Sequence, residues 1–198
     1  KVLLVEQRDH IGGNAWDEYN EYGLLEQKYG PHIFHTNSHE VWSYLSHFTK
    51  WRQYYHHVLA SVDGQLIPLP FNLNSIEKLF PPSESSRFIE KLIVDYGFGK
   101  KVPILQLKEN SDPERQLLSD YIYKKVVEHY TKKQWGMKPE DLSGNAMARV
   151  PVFISRDDRY FQDIYQGIPL LGYGALIRNM LHNPNIHILL NTRWQDIQ

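Results

Sequence analysis

Residues 2–15, VLLVEQRDHIGGNA, decide the predicted fold. The apolar run at residues 2–5 predicts a strand inside a parallel sheet whose two faces are covered by helices. Glu6 follows this strand, at the place where an acidic side chain accepts hydrogen bonds from a ribose hydroxyl. Gly12 and Gly13 lack a Cβ, so the backbone can approach a pyrophosphate or a flavin. We interpret the pattern as the second half of a dinucleotide-binding βαβ unit. We therefore expect the chain to be a fragment, with the first half of that unit upstream.

The composition is typical of a globular protein without a strong electrostatic field. The chain has 198 residues, of which 41% are hydrophobic, and a formal net charge of −1. It therefore offers no basic surface to nucleic acid or to an anionic membrane. The absence of cysteine excludes disulfides and thiolate metal sites and agrees with the cytoplasmic location that we expect. We see no apolar run long enough to span a membrane. Aromatic residues make up 13%, which favours either a site that stacks planar rings or a tyrosine-rich core.

Strand and turn signals predict two further features of the sheet structure. Residues 58–62 and 65–69 flank Asp63-Gly64, a dipeptide typical of the type I′ turn of a β-hairpin. The apolar run at residues 186–190 follows a segment with helical spacing. A helix followed by such a run predicts a strand that returns to the nucleotide-binding sheet.

Capping signals predict helices in the middle of the chain. Asn74, with Glu77 three residues later, resembles a capping box. Asp112 followed by Pro113 predicts the start of another helix, which Gly136 would end. That helix places four side chains on one apolar line, namely Leu118, Ile122, Val126 and Tyr130.

These patterns together predict the α/β class with three portions. The first is a partial, nucleotide-binding, Rossmann-like parallel sheet formed by residues 1–53 and 167–198. The second is a small antiparallel sheet formed by residues 54–73 and 150–166. The third is a helical insertion over residues 74–149.

Two histidines are candidates for a site. His32 and His35 are three residues apart in a loop that begins with Gly-Pro. A metal site needs a third ligand, and no cysteine or neighbouring acidic residue supplies one, so we predict no metal. A polar contact to a flavin or a phosphate and a purely structural role both remain open for this pair.

A second group of candidates lies near the predicted end of the long helix and after it. Thr131 and Trp135 share a helix face one step from the apolar line, and Tyr130 lies beside them. Aromatic rings can stack on a base while a hydroxyl contacts its polar edge, but a helix end with a buried tryptophan has the same pattern. Arg149 and Tyr160 could bind a phosphate, or they could be ordinary surface residues.

The order of several short motifs is more specific than any one of them. The chain contains, in order, Glu6-x-Arg8 with His10-Ile11-Gly12-Gly13-Asn14-Ala15, Tyr29-Gly30-Pro31-His32-Ile33-Phe34-His35-Thr36-Asn37, Leu69-Pro70-Phe71-Asn72-Leu73-Asn74, Tyr130-Thr131-Lys132-Lys133-Gln134-Trp135-Gly136, Arg149-Val150-Pro151-Val152, Tyr160-Phe161 and Tyr165-Gln166-Gly167-Ile168-Pro169. With these motifs in this order, the chain closely resembles the bacterial UDP-galactopyranose mutases over nearly its whole length. Because family members are about twice as long as this chain, we expect it to lack both the first glycine-rich turn and the C-terminal half.

The resemblance implies a flavin-dependent isomerase. Family members interconvert UDP-galactopyranose and UDP-galactofuranose with reduced FAD, whose N5 is proposed to act as the nucleophile at the anomeric carbon of the sugar. The partner implied is a UDP-galactose substrate, with no nucleic acid and no membrane span. The full-length parent could form a homodimer.

The resemblance also implies roles for particular residues. The residues that would bind FAD are Glu6, at the adenosine ribose, with Arg8, Gly12, Gly13, Asn14, His32 and Ile33. The residues that would act in catalysis are His32, His35 and Arg149. The residues that would bind the substrate are His56, Tyr130, Thr131 and Trp135 around the nucleoside and sugar, and Arg149 and Tyr160 at the diphosphate.

Two alternatives compete with this interpretation. The Gly-Gly pair after an acidic residue also suits another flavoprotein of the same broad class, such as an amine oxidase or a desaturase. The chain as given could instead be a non-catalytic fragment. Since the glycine-rich turn that holds a pyrophosphate would be missing, we expect the fragment to be inactive and to bind FAD weakly or not at all.

Overall fold

The computed structural model describes residues 1–109, 111–137, 141 and 151–197, which form two units. The first unit comprises Lys1–Tyr55 and Asp163–Gln198, and the second comprises His56–Gln162. Both contain helices and strands, so the predicted α/β class is confirmed.

Strands and helices are interspersed along the described chain. The strands are β1 Val2–Val5, β2 Asp17–Tyr19, β3 Leu25–Gln27, β4 Phe34–Thr36, β5 Trp51–Gln53, β6 Val58–Val62, β7 Gln65–Leu69, β8 Lys101–Pro103, β9 Pro151–Phe153, β10 Tyr165–Pro169 and β11 Ile186–Leu189. The helices are α1 His39–Ser46, α2 Leu73–Leu79, α3 Pro82–Tyr96, α4 Ile104–Lys108, α5 Pro113–Ile122, α6 Glu128–Trp135 and α7 Gly172–Leu181, with a π-helical turn at Tyr123–Val127 and a 3₁₀ turn at Trp194–Asp196.

The first unit contains the predicted parallel pair. β1 pairs with β11 in parallel, with Val2 opposite Ile186 and Leu4 opposite Ile188. The predicted return of the chain to the nucleotide-binding sheet is therefore confirmed. Val2 and Leu3 are 57% and 51% exposed, although the apolar run predicted burial on both faces. In the described part of the chain β1 pairs with β11 alone, and a two-stranded sheet cannot enclose these side chains.

A three-stranded antiparallel sheet, in the order β4, β10, β5, also belongs to the first unit. Aromatic rings stack along it. Trp42 lies 4.5 Å from Trp51 and 5.2 Å from Tyr165, and Phe34 lies 5.0 Å from Trp51, all between ring centroids. These four aromatic side chains therefore have a structural role, which is one of the two roles that the composition allowed.

Among the described residues of the second unit, buried apolar side chains form one core. It is formed by buried side chains from the hairpin, from α2 to α5, from the π-helical turn and from β9, among them Ile67, Ile76, Leu92, Ile104, Leu118, Ile122 and Val152. The predicted hairpin is confirmed, because β6 pairs with β7 across Asp63 and Gly64. Both residues have the positive φ, 48° and 82°, that a type I′ turn requires.

The start of α2 differs from the prediction by two residues. The N-cap is Asn72, not Asn74, because the Asn72 side chain accepts hydrogen bonds from the backbone N–H groups of Asn74 and Ser75. The Ser75 hydroxyl accepts the Asn72 N–H in return and completes the capping box. Glu77, which was predicted to close the box, pairs with Arg156 instead.

The π-helical turn changes the register of the long helical segment. The predicted Asp112 cap is confirmed, and Gly136 ends α6 with a φ of 66°. A π-helical turn inserts one residue into the helical repeat, so the residues that follow it are rotated. Thr131 is therefore buried, at 1% exposed, whereas Tyr130, predicted to continue the apolar line, is 38% exposed.

Candidate functional site

The turn that follows β1 brings Glu6 and Arg8 together. One carboxylate oxygen of Glu6 accepts the backbone N–H of Arg8 at 2.9 Å. The backbone carbonyl of Glu6 accepts the N–H of Thr192, which follows β11. The predicted ribose-binding carboxylate is therefore fixed at the carboxyl end of the parallel pair, where ligands bind in open α/β sheets.

The Arg8 guanidinium is only partly paired. Its Nη2 donates to Asn14 Oδ1 at 2.8 Å, and its central carbon lies 4.6 Å from the centroid of the Tyr29 ring. Its Nη1 is buried and has no hydrogen-bond partner among the described residues. A buried donor without an acceptor is costly and rare. An anionic oxygen from a ligand would satisfy it, and a phosphate fits the planar donor group of arginine.

The two glycines of the loop differ in what they permit. Gly12 has a φ of 86°, which favours glycine, and a Cβ there would lie 2.6 Å from Ile177 Cδ1 of α7. Gly13 has a φ of 58°, and the nearest atom to a Cβ there is Arg8 Nη1, at 4.0 Å. A side chain at position 13 would therefore stand against the unpaired Arg8 nitrogen, and glycine keeps that nitrogen clear of one.

His32 and Ile33 lie in the loop between β3 and β4. The backbone N–H of His32 donates to Gln27 Oε1, and Gln27 Nε2 donates to the His32 carbonyl at 3.1 Å. The imidazole Nδ1 donates to the Gly30 carbonyl at 2.9 Å. Because a carbonyl only accepts, Nδ1 carries the proton and Nε2 is the acceptor nitrogen of the neutral ring. Ile33 is half-buried in this restrained loop.

His35 has an acidic partner that sequence reasoning missed. Its Nδ1 lies 2.9 Å from Asp163 Oδ2, and Asp163 Oδ1 accepts Asn37 Nδ2 at 2.9 Å. The carboxylate orients the ring and places the neutral-form proton on Nδ1. No local sequence signal links the two residues, which are 128 positions apart. Antiparallel pairing of β10 with β4 brings the segments together.

A second missed carboxylate belongs to Asp17, which is 5% exposed. It accepts the backbone N–H groups of Tyr173 at 2.6 Å and Gly174 at 2.9 Å. The positive end of α7 is therefore occupied by a side chain of this protein. Burial raises the pKa of the Tyr173 phenol to about 12.

In the second unit, three of the predicted substrate residues meet. The Tyr160 side chain neighbours that of Tyr130, and its pKa is raised by burial first and by this tyrosine next. The His56 ring lies edge-on to Tyr160, with centroids 5.8 Å apart, and the His56 carbonyl accepts the Tyr160 N–H at 2.7 Å. Each phenol carries a hydroxyl that can donate to an anionic oxygen.

The other predicted substrate residues are placed differently or not described. The buried Thr131 belongs to the inner face of α6. Trp135 is the last residue of that helix, and its side chain lies outside the described residues. Arg149 lies outside them as well.

The described ranges contain neither a metal-binding cluster nor a membrane-spanning helix. No group of three or more histidine, aspartate or glutamate side chains there is arranged to hold a metal ion. None of the helices described, the longest being α3 with 15 residues, could cross a membrane.

Comparison with known proteins gives two family matches. Residues 125–198 match the UDP-galactopyranose mutase family, and residues 1–48 match the NAD(P)-binding Rossmann-like domain. The second match contains β1, Glu6, Arg8, both glycines and the His32 loop.

Individual relatives align along almost the entire chain. The chain is 35% identical to a probable UDP-galactopyranose mutase of Klebsiella pneumoniae and 34% identical to a dTDP-fucopyranose mutase of Escherichia coli, each over 98% of its length. It is 33% identical to the UDP-galactopyranose mutase of Mycoplasma genitalium over the same share. These alignments cover 50%, 51% and 48% of the respective relatives, so the chain spans about half their length. The resemblance seen in the sequence is confirmed.

Proposed function

We propose that the protein carrying this chain is a nucleotide-sugar mutase that interconverts UDP-galactopyranose and UDP-galactofuranose with reduced FAD. The observation that supports this most is similarity to mutases over 98% of the chain, at 33–35% identity. The assignment of the substrate and of FAD, and the expected cytoplasmic location and homodimer, remain predictions.

The first unit would hold the flavin dinucleotide. The unpaired Arg8 nitrogen beside Gly13 suits its pyrophosphate, and Glu6 suits a ribose hydroxyl. His32 and Ile33 would flank the flavin ring. When bound and reduced, FAD supplies a nucleophile for the anomeric carbon of the sugar. Gly12 would act indirectly, through its contact with α7.

His35 is the residue of the first unit best suited to proton handling. Asp163 holds its ring in one orientation with the proton on Nδ1. Asn37 in turn holds the other oxygen of Asp163. The ring can therefore accept a proton at Nε2 and return it without rotating, which is the property required of a general acid–base group.

The second unit would bind the nucleotide sugar. The neighbouring phenols of Tyr130 and Tyr160 would donate to the diphosphate, together with Arg149. Trp135, at the end of α6, would stack on the uracil. Thr131 is 1% exposed, so we assign it to the packing of α6 and not to direct contact with the base.

A second candidate substrate is favoured by the comparisons. The dTDP-fucopyranose mutase of Escherichia coli is 34% identical, which is nearly the same as the 35% of the Klebsiella relative. Uracil and thymine differ by one methyl group, and a hydrophobic pocket discriminates such a difference by only about 10- to 200-fold. A dTDP-linked 6-deoxysugar is therefore the alternative substrate.

The test is turnover by the full-length protein reduced with dithionite, followed by chromatography of the nucleotide sugars. UDP-galactofuranose should be converted to the pyranose, faster than dTDP-fucofuranose is. Faster turnover of the dTDP sugar would assign the second candidate. Turnover with oxidised flavin, or one nicotinamide consumed per cycle, would contradict the mutase proposal. Oxygen consumption with an amine substrate would favour the amine-oxidase alternative.

A further inference from the structure

Behind Arg8 lies a continuous set of aromatic contacts that the proposed function leaves unexplained. The Arg8 guanidinium lies over the face of Tyr29, 4.6 Å from the ring centroid. The Tyr29 hydroxyl lies 2.7 Å from His10 Nε2. The His10 ring stacks on Trp16 with centroids 4.7 Å apart and an interplanar angle of 15°. The Arg8 side chain is therefore supported by three rings in sequence.

The hydrogen bonds in this set have a fixed direction. His10 is 8% exposed, and its Nδ1 lies 2.9 Å from the Ile11 carbonyl. Because the carbonyl can only accept, Nδ1 carries the proton and Nε2 of the neutral ring accepts. The Tyr29 hydroxyl therefore donates to His10, and this bond fixes the tilt and position of the Tyr29 ring.

The contacts of Arg8 with Tyr29 and Asn14 leave one nitrogen of its guanidinium without a partner among the described residues. Tyr29 covers one face of the guanidinium, and Asn14 takes Nη2 at 2.8 Å. Nη1 is left buried without a partner in the described part of the chain, 4.0 Å from the point where a Cβ on Gly13 would lie. An arginine stacked on an aromatic face keeps its planar donor group oriented, so less conformational entropy is lost on binding.

We propose that Tyr29 and His10 are positioning residues that hold the Arg8 guanidinium ready for a phosphate of the bound dinucleotide. This inference rests on the proposed function only in taking FAD as the dinucleotide. Tyr29 supplies the surface on which Arg8 lies, and His10 holds Tyr29 in place. Neither residue is required to touch the cofactor.

The test is a double-mutant cycle in the full-length protein that measures FAD affinity by flavin fluorescence, with ADP as a competing probe. Tyr29→Leu should weaken FAD and ADP binding about tenfold when Arg8 is present, in line with loss of a partly desolvated cation–π contact. In the Arg8→Gln background the same substitution should change the affinity less than about twofold, since its effect passes through Arg8. Tyr22→Leu, at a tyrosine that is 78% exposed, is the matched control and should change nothing.

A milder variant tests the contribution of His10. Tyr29→Phe keeps the ring but removes the hydroxyl, so it should weaken FAD binding about threefold through loss of one hydrogen bond. Native affinity in Tyr29→Phe would overturn the assignment of His10. Equal losses from Tyr29→Leu in both Arg8 backgrounds would overturn the assignment of Tyr29, because a purely structural residue acts whether or not Arg8 is present.

The cycle also separates this inference from the proposed function. If the wild-type protein binds ADP with the expected coupling but does not bind FAD, the choice of cofactor fails and the positioning roles stand. If FAD binds tightly and Arg8→Gln has no effect on its affinity, the positioning roles fail while the mutase proposal stands. Binding of neither ligand would contradict both.

Discussion

Replacing Asp17 by alanine should destabilise the first unit by about 2–4 kcal/mol. The Asp17 carboxylate is 5% exposed and accepts two backbone N–H groups at the start of α7. Loss of a helix-capping side chain alone costs about 0.5–2 kcal/mol. Tyr173 and Gly174 are themselves buried, so their N–H groups would lose their acceptor without gaining water, at about 1–3 kcal/mol each if no rearrangement follows.

The assay is urea unfolding followed by tryptophan fluorescence. Trp16, Trp42, Trp51 and Trp194 belong to the first unit, so the signal reports mainly on it. Asp17→Asn keeps one acceptor oxygen and should lose less stability than Asp17→Ala. Substitution of the exposed Glu21 by alanine is the control and should leave the midpoint unchanged.

A second substitution makes the test specific to this contact. A Cβ on Gly172, whose φ is +86°, would lie 2.4 Å from Asp17 Oδ1. Gly172→Ala should therefore be destabilising in the native background and less so when Asp17 is already alanine, because the clash is then absent. An Asp17→Ala midpoint equal to that of the wild type, or strict additivity of the two substitutions, would refute the reasoning.

Three further predictions concern pH and the substrate site. Burial raises the pKa of Tyr173 to about 12 in the folded protein from about 10 when unfolded. The stability that its neutral phenol contributes is therefore complete below about pH 10 and lost between about pH 10 and 12. Tyr173→Phe should flatten this part of the pH–stability curve, and an unchanged curve would contradict the assignment. Trp135→Ala should weaken UDP binding by about 1–3 kcal/mol, as expected for loss of a base–aromatic stack, whereas a lower melting temperature with unchanged UDP affinity would assign Trp135 to the core. Tyr130→Phe and Tyr160→Phe should each weaken UDP binding, measured by calorimetry, by about 0.5–1.5 kcal/mol. The double variant should lose less binding free energy than the sum of the two single losses, whereas strict additivity would show that the two phenols act separately.

The parts of the fold that could be predicted depend on local chemistry. The type I′ turn requires a left-handed backbone at both of its central residues, and few dipeptides other than Asp63-Gly64 adopt it readily. The hairpin around this dipeptide was therefore predictable. The Asp112 side chain accepts hydrogen bonds from free N–H groups at the helix start, and Pro113 has no backbone N–H that would need an acceptor. The start of α5 was therefore predictable as well. These signals do not depend on what packs against them.

The parts that could not be predicted depend on distant contacts. Asn72 and Asn74 each precede a polar residue by three positions, so spacing alone cannot choose the N-cap of α2. Tertiary contacts decide, because Asn74 Oδ1, the atom that would cap the helix, accepts a hydrogen bond from Arg156 Nη1 at 3.0 Å instead. The pairing of His35 with Asp163 has the same origin, since only strand pairing brings the two side chains within 2.9 Å.

The π-helical turn joins the question of fold to that of function. A regular helix through residues 113–135 would have placed Tyr130 in the core and Thr131 beside it. The extra residue at Tyr123–Val127 rotates α6, so Thr131 packs inward and Tyr130 is available to Tyr160. Insertions of this kind break the regular hydrogen-bond pattern of a helix and are frequent at functional sites. The pair of phenols that we assign to the diphosphate therefore depends on a backbone irregularity, which hydrophobic periodicity cannot reveal because it assumes a constant repeat.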